Sequence, residues 1–191
     1  MPTWLLPLLS GCGEGSVQAV IEPSAPRTTD TLRIRLSPSG AELLSVKWFR
    51  DGELASQARR LPPSLTSKGE RWTAEVAALV PASGDVGVSQ GRAENVAPRG
   101  IVIGNSPPSL ASIWTEPASP AAGEDVLCQA SAVDLDGDVS DIGYLWTMGG
   151  EARPQALLPG GDAHEGVWTC TAVPDDGEDE GEALSLEVAL E

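Results

Sequence analysis

Apolar and polar residues alternate over several short stretches of this chain. Two examples are Leu32-Arg33-Ile34-Arg35-Leu36 and Leu184-Ser185-Leu186-Glu187-Val188. A period of two places successive side chains on opposite faces of a strand, so that one face packs on a core. No segment longer than about ten residues keeps a helical period. With 21 Gly and 16 Pro among 191 residues, the pattern predicts an all-β chain of short strands and turns.

The same order of anchor residues occurs twice. The matched segments, in order, are Val20 to Pro26 with Trp114 to Pro120, Trp48 to Glu53 with Trp146 to Glu151, and Gly69 to Ala74 with Gly166 to Cys170. Such a repeated order of anchor residues indicates that one structural unit is duplicated. Each copy holds regularly spaced short strands, which is typical of a β-sandwich. We therefore expect two tandem β-sandwiches.

The boundary between the copies is marked by prolines. An apolar strand at Ile101-Val102-Ile103 passes into Asn105-Ser106-Pro107-Pro108, and prolines limit sheet pairing and stiffen a joint. We expect the first domain to span 17–104, the linker 105–108 and the second domain 109–191.

The N-terminus holds an apolar run, Trp4 to Leu9, that is too short to span a bilayer and ends in Leu9-Ser10-Gly11-Cys12. These four residues resemble the lipobox of bacterial lipoproteins, although no Lys or Arg precedes the run. The resemblance implies a leader at 1–11, a lipidated Cys12 and a flexible tether at 12–16. The chain would then be a lipid-anchored protein of a bacterial cell envelope, in the outer membrane or at the cell surface.

Removing Cys12 leaves Cys128 and Cys170, an even pair in a chain expected to be exported. A disulfide is the natural interpretation, and two buried free thiols are the alternative. Cys128, Trp146 and Cys170 resemble the immunoglobulin-like pattern of a Cys on strand B, a core Trp on strand C and a Cys on strand F. Trp168 stands where that pattern usually has Tyr. In the first copy Ile34 and Ala74 stand near the cysteine positions, so that sandwich must hold by packing alone.

The segment Asp134-Leu135-Asp136-Gly137-Asp138, followed by Tyr144-Leu145-Trp146, is similar to the Asp-rich turn of PKD-type and bacterial immunoglobulin-like domains. Cadherin-like arrays, in which calcium braces the junction between sandwiches, are also similar in plan. The resemblance implies a tandem module of a secreted or surface protein.

Four tryptophans occupy equivalent positions of the two copies within alternating strands, which predicts a core role. They are Trp48, Trp72, Trp146 and Trp168. Trp114 has Val20 as its counterpart, which leaves an exposed position open for its ring. An exposed ring could stack on a sugar, so a carbohydrate-binding protein is an alternative function.

The charge is concentrated in the second copy. The chain carries 28 acidic and 12 basic residues, a net charge of −16, and residues 105–191 hold 18 of the acidic and one of the basic residues, a net −17. Nucleic acid is therefore an improbable partner. Ten carboxylates fall in two loops that an immunoglobulin-type sandwich places at one end: Asp134, Asp136, Asp138, Asp141, Asp175, Asp176, Glu178, Asp179, Glu180 and Glu182.

Three outcomes are open for these acidic loops. They stay solvated, they bind Ca²⁺ through several carboxylates, or Arg27 and Lys68 offset their charge directly. The candidate calcium ligands are Asp134, Asp136, Asp138, Asp141, Asp175 and Asp176. The segment from Asp134 is not an EF-hand loop, because Leu145 stands where the bidentate Glu belongs.

Signs of catalysis are few. Gly87-Val88-Ser89-Gln90-Gly91 matches the G-x-S-x-G nucleophile elbow, but no strand-then-helix pattern surrounds it. The sole histidine, His164, lies in the other copy. We therefore expect a non-catalytic surface lipoprotein that acts as an adhesion, binding or spacer module for a surface protein or polysaccharide, with a secreted hydrolase as the competing class.

Overall fold

The computed structural model describes residues 17–37, 40–80, 92–138 and 141–191. Strands dominate these residues, and the helix found among them is a single 3₁₀ turn at Pro63–Leu65. Among the described residues no helix has the length and apolar character needed to cross a membrane. The all-β prediction is confirmed.

The chain divides into two compact units. In the described residues, unit 1 contains 17–25, Thr31–Pro62 and Glu70–Val102, whereas unit 2 contains Pro26–Asp30, Pro63–Gly69 and Ile103–Glu191. This division differs from the expected one, because two segments of the first sequence copy belong to unit 2. The reason is hydrogen bonding. Gly104 N–H donates to the carbonyl of Pro26 at 2.7 Å, and Gly69 N–H donates to the carbonyl of Ile103 at 2.9 Å.

Unit 1 is built from two antiparallel sheets. Its strands are β1 (Gln18–Glu22), β2 (Leu32–Ser37), β3 (Glu42–Arg50), β4 (Glu53–Ser56), β5 (Arg60–Leu61), β6 (Arg71–Val80), β7 (Arg92–Val96) and β8 (Ile101–Val102). One sheet has the order β1-β2-β5, and the other has the order β4-β3-β6-β7, with β8 also pairing to β6. The alternation along β6 buries Trp72, Ala74, Val76 and Ala78 on the core side.

Unit 2 repeats this plan. Its strands are β9 (Ser109–Glu116), β10 (Val126–Val133), β11 (Asp141–Met148), β12 (Glu151–Arg153), β13 (Leu157–Leu158), β14 (Gly166–Asp175) and β15 (Leu184–Leu190). The sheets have the orders β13-β10-β9 and β12-β11-β14-β15. Their facing sides enclose a core of Val126, Trp146, Leu158, Trp168 and Val188 around the two cysteines.

A disulfide joins the two sheets of unit 2. Cys128 on β10 is bonded to Cys170 on β14, with 6.6 Å between their Cα atoms. Trp146 on β11 lies opposite Cys170 in the strand register. The predicted disulfide is therefore confirmed, in the arrangement that the immunoglobulin-like pattern implies.

The repeat extends to individual pairings. Trp48 lies opposite Ala74 in unit 1 as Trp146 lies opposite Cys170 in unit 2. Both indoles donate their N–H to a backbone carbonyl ten residues later, Trp48 to Ala58 at 2.9 Å and Trp146 to Ala156 at 3.0 Å. Both units also have a cis Glu–Pro bond directly after the first strand. The sequence repeat therefore corresponds to one sandwich plan used twice.

Tryptophan replaces tyrosine at the corner before the second cysteine. The side chain of Trp168 is completely buried, and its indole N–H donates to the carbonyl of His164 at 3.1 Å. A tyrosine corner makes a similar bond back to the upstream backbone through its hydroxyl. The indole N–H supplies that bond here. Trp48, Trp72 and Trp146 are also at most 1% exposed.

Candidate functional site in the acidic loops of unit 2

The two acidic loops of unit 2 meet at one end of a sheet. Strand β11 begins at Asp141 and β14 ends at Asp175, and these residues lie opposite each other in the register. The loop before β11 and the loop after β14 are therefore neighbours. Six carboxylates of these loops hold the loop backbones or pair with basic side chains of unit 2, and we call them the acidic loop cluster: Asp134, Asp136, Asp138, Asp176, Glu178 and Asp179.

Asp134 folds the first loop around its own carboxylate. Its Oδ1 accepts hydrogen bonds from the backbone N–H of Asp136 at 2.7 Å and of Asp138 at 3.2 Å. Gly137 supplies the left-handed conformation of this turn, with φ of 82°. As a result, one carboxylate oxygen from each of the three aspartates lies within 4.8 Å of the others.

Asp176 plays the same part in the second loop. Its Oδ1 accepts from the backbone N–H of Glu178 and of Asp179, both at 2.8 Å. The side-chain amide of Asn105 donates to its Oδ2 at 2.8 Å. The Asp179 N–H and then the Asn105 amide, opposed by partial desolvation, lower the pKa of Asp176 to about 2. Asp176 is therefore ionised at neutral pH and holds the loop together.

Two basic side chains of unit 2 contact the acidic loop cluster. The ammonium of Lys68 lies 2.7 Å from Asp138 Oδ2 and 2.7 Å from Glu178 Oε1, while a guanidinium nitrogen of Arg27 lies 3.6 Å from Asp179. The hydrogen bonds that the ammonium donates to Asp138 and then to Glu178 raise the pKa of Lys68. These ion pairs correspond to the third outcome considered from the sequence, in which Arg27 and Lys68 offset part of the acidic charge directly. The offset is incomplete, because two cations face six carboxylates.

Three of the six candidate calcium ligands, Asp141, Asp175 and Asp176, are not part of the group formed by Asp134, Asp136 and Asp138. Asp141 is exposed at the start of β11. Asp175 Oδ1 accepts the backbone N–H of Gly177 at 2.7 Å. Asp176 lies in the cluster, but its oxygens are engaged by backbone and amide donors. The structure therefore brings together Asp134, Asp136 and Asp138 from the predicted set.

Three buried side-chain oxygens lack a hydrogen-bond donor. Among the described residues, the buried side-chain polar atoms without a partner are Asp134 Oδ2, Asp136 Oδ1 and Asn105 Oδ1. Asp136 Oδ2, by contrast, accepts the backbone N–H of Ser106 at 2.7 Å. Asn105 and Ser106 were missed as site residues because, in the sequence, they read as part of a proline-rich linker.

The other candidate sites gain little from the structure. Trp114 on β9 is 38% exposed and is the only aromatic side chain among the exposed large apolar residues of the described chain. A sugar platform needs more than one ring in most cases, so Trp114 alone is weak support. His164 lies exposed in the loop before β14. Cys12 and Ser89 lie outside the described residues.

Comparison with known proteins identifies no family for this chain. No protein-family model and no curated protein matches the chain. Among solved structures, the chain is similar to the fibronectin(III)-like modules of Clostridium thermocellum CbhA, with 14% identity over 92% of this chain and 94% of that chain and a TM-score of 0.32. It is also similar to the amphioxus IgVJ-C2 molecule, with 17% identity over 80% and 92% and a TM-score of 0.33.

The fold is immunoglobulin-like. Because both TM-scores are low, this assignment rests on the chain's own features, which are the three-plus-four strand order of the two sheets and the β10 to β14 disulfide beside Trp146. An immunoglobulin-like sandwich hosts many unrelated functions, so the fold limits the function without naming it.

Proposed function

We propose that this protein is a non-catalytic, lipid-anchored module of a bacterial cell envelope, which binds a surface protein or polysaccharide or acts as a spacer. The observation that carries the proposal is the disulfide between Cys128 and Cys170. Disulfides persist in oxidising compartments outside the cytosol. Export agrees with the Leu9-Ser10-Gly11-Cys12 sequence, which supplies both a cleavage site and a lipid attachment point.

The architecture supports a binding or spacer role. Each unit buries its aromatic side chains in its core, with Trp48 and Trp72 in unit 1 and Trp146 and Trp168 in unit 2 at most 1% exposed. The acidic loop cluster lies at one end of a sheet, where Asp134, Asp136 and Asp176 accept hydrogen bonds from backbone N–H groups. Such an arrangement presents charge and shape to a partner.

Anchoring is tested by expressing the full chain in a diderm bacterial host with a radiolabelled fatty acid, beside a Cys12→Ser variant. We expect label and membrane association for the unaltered chain and neither for the variant. Mass spectrometry should find Cys128 linked to Cys170 in the unaltered chain. The same link should be found in the Cys12→Ser variant when that variant is exported. An unlabelled mature chain whose N-terminus is not Cys12 overturns the lipid anchor.

The non-catalytic part is tested separately with small chromogenic esters. We expect no turnover above that of buffer. Hydrolysis that disappears in both Ser89→Ala and His164→Ala variants overturns this part of the proposal and supports the hydrolase alternative.

A further inference from the structure

Unit 1 carries a groove along one side of its sandwich, which we call the β1 groove. Its volume is about 710 Å³, within the range of ligand pockets, and all the residues that line it belong to unit 1. Strand β1 contributes one wall, and β8 with the start of β6 contributes the other. Val20 and Val102 line it and are 50% and 47% exposed, so a ligand there would cover open apolar surface.

Two unpaired arginines also line the β1 groove. They are Arg71 and Arg99, and no carboxylate lines the groove with them. Within the described residues neither guanidinium forms an ion pair, whereas four other arginines of unit 1 pair with glutamates. The planar guanidinium matches a carboxylate through two parallel hydrogen bonds. The groove therefore combines apolar surface with two cations that have no counterion of their own.

Unit 2 has the corresponding groove with the opposite charge. Thr115 and Ala118 line it, and they are the repeat counterparts of Ile21 and Ser24 in the β1 groove. No basic residue lines the groove of unit 2, and its charged residues are Glu187 and Glu191. The groove thus belongs to the shared sandwich plan, but its positive lining belongs to unit 1. In a chain of net charge −16, such a lining does not follow from the composition.

The free edge of β1 runs along the groove. Strand β1 pairs with β2 from Gln18 to Glu22, and its other side pairs with no strand of the described residues. No residue of β2 lines the groove, so the groove lies on the unpaired side. The strand has no Lys, no Pro and no bulge, which are the devices that commonly block pairing at an edge. An extended peptide can therefore add to it as a further strand.

We propose that the β1 groove binds an extended acidic peptide of a partner protein, which pairs with the edge of β1. Alternate side chains of an added strand point to the same side, so a peptide that alternates acidic and aliphatic residues suits the groove. Its carboxylates pair with Arg71 and Arg99, and its aliphatic side chains cover Val20 and Val102. The inference rests on the binding role proposed above and names its partner class, but it does not depend on the lipid anchor.

The first test is fluorescence anisotropy with the full chain carrying Cys12→Ser and a labelled peptide of alternating Glu and Val. The control is the same peptide with Gln in place of Glu. We expect the Glu peptide to bind about tenfold tighter, because each of two ion pairs contributes a few-fold. The overall charge of the chain acts in the opposite direction, since it repels an acidic peptide. Equal or weaker binding of the Glu peptide overturns the proposal and leaves the test of the lipid anchor unaffected.

Matched variants separate the groove from general attraction. Arg71→Met and Arg99→Met should each weaken binding of the Glu peptide about threefold, and the double variant should bind the Glu and Gln peptides alike. The control is Arg60→Met on β5, which removes an exposed arginine that lines a different groove and has no ion pair in the described part of the chain. Binding should then change less than twofold. Equal weakening by Arg60→Met and Arg71→Met overturns the assigned site.

Hydrogen exchange locates the bound peptide. The Glu peptide should slow exchange in Gln18–Glu22, because the added strand pairs with backbone groups of β1. The control strand is β15 of unit 2, also at a sheet edge, where exchange should not change. In the variant with both Arg71→Glu and Arg99→Glu, a peptide of alternating Lys and Val should protect β1 and the Glu peptide should not. Misfolding cannot produce that exchange of preference. Protection that omits β1 overturns the proposal.

A second copy of the chain is the other occupant to test. Its acidic loops could supply carboxylates to the β1 groove, so sedimentation velocity is run on the chain alone over a range of concentrations. We expect a monomer. A dimer that dissociates when Arg71→Met and Arg99→Met are combined assigns the groove to self-association and overturns the partner peptide.

Discussion

The disulfide of unit 2 gives the sharpest quantitative prediction. The double change Cys128→Ala and Cys170→Ala opens a loop of 42 residues in sequence separation. On the chain-entropy model, a loop of that length stabilises the folded state by about 4 kcal/mol. Both cysteines are at most 1% exposed and pack in the core of unit 2, so the lost sulfurs add to the cost. Unit 2 should therefore be at least about 4 kcal/mol less stable.

Hydrogen exchange followed by peptide mass spectrometry measures this loss unit by unit. A change of about 4 kcal/mol corresponds to a roughly thousandfold loss of protection in the slowest amides, and these should lie in β10, β11 and β14. The matched readout is β3 and β6 of unit 1, whose protection should stay nearly unchanged because that unit has its own core. As a further control, a reductant should lower the protection of unit 2 amides in the unaltered chain. It should leave their protection in the double variant unchanged.

Two results would refute the reasoning. A loss of protection below tenfold in β10 and β14 means that the bond does not form or that the unfolded loop is already constrained. An equal loss in β3 and β6 means that the two units unfold as one cooperative body.

The remaining predictions concern packing and charge in unit 2. Gly160→Ala should destabilise unit 2 by about 1–3 kcal/mol in urea unfolding, because a Cβ there would lie 2.9 Å from the carbonyl carbon of Gly123, whereas Gly161→Ala meets no atom within 4 Å and should be nearly neutral. Trp146→Ala should cost about 3–5 kcal/mol, and the half-exposed Trp114→Ala less than about 1 kcal/mol; similar costs would contradict the core assignment. The pKa of Asp176 is lowered to about 2 in the folded state, so its contribution is present above the unfolded pKa near 3.9 and is lost as the pH falls toward 2. The calorimetric melting temperature should then fall more steeply between pH 4 and pH 2 in the unaltered chain than in Asp176→Asn, and parallel slopes would argue against this role.

Much of the fold is readable from the sequence because two local signals agree. Alternation predicts which face of each strand is buried, and the repeat predicts which strands correspond. Ala74 illustrates this, since the register places it opposite Trp48 as Cys170 stands opposite Trp146. The cysteine pair was predicted from an even count in a chain expected to be exported, and from the resemblance of Cys128, Trp146 and Cys170 to the immunoglobulin-like pattern.

The candidate site was harder to predict, because a count of carboxylates does not show how their oxygens are used. Asp176 looks like a ligand in the sequence, but backbone N–H groups and an amide occupy it in the structure. Asn105 carries no charge and lies in a proline-rich stretch, so nothing local distinguishes it. Alternation also cannot reveal that Pro26–Asp30 and Pro63–Gly69 belong to unit 2, because that depends on backbone hydrogen bonds between segments far apart in the chain.

The bond between β10 and β14 also limits how far the chain extends under tension. A fully stretched chain gains about 3.3–3.6 Å per residue, so the 42-residue separation between Cys128 and Cys170 represents about 140–150 Å of length that force cannot release while the bond is intact. Unit 1 has no cysteine pair and can unravel along its whole length. A pulled molecule would therefore lengthen mainly through unit 1, while the acidic loop that follows β10 stays inside the closed covalent ring of unit 2.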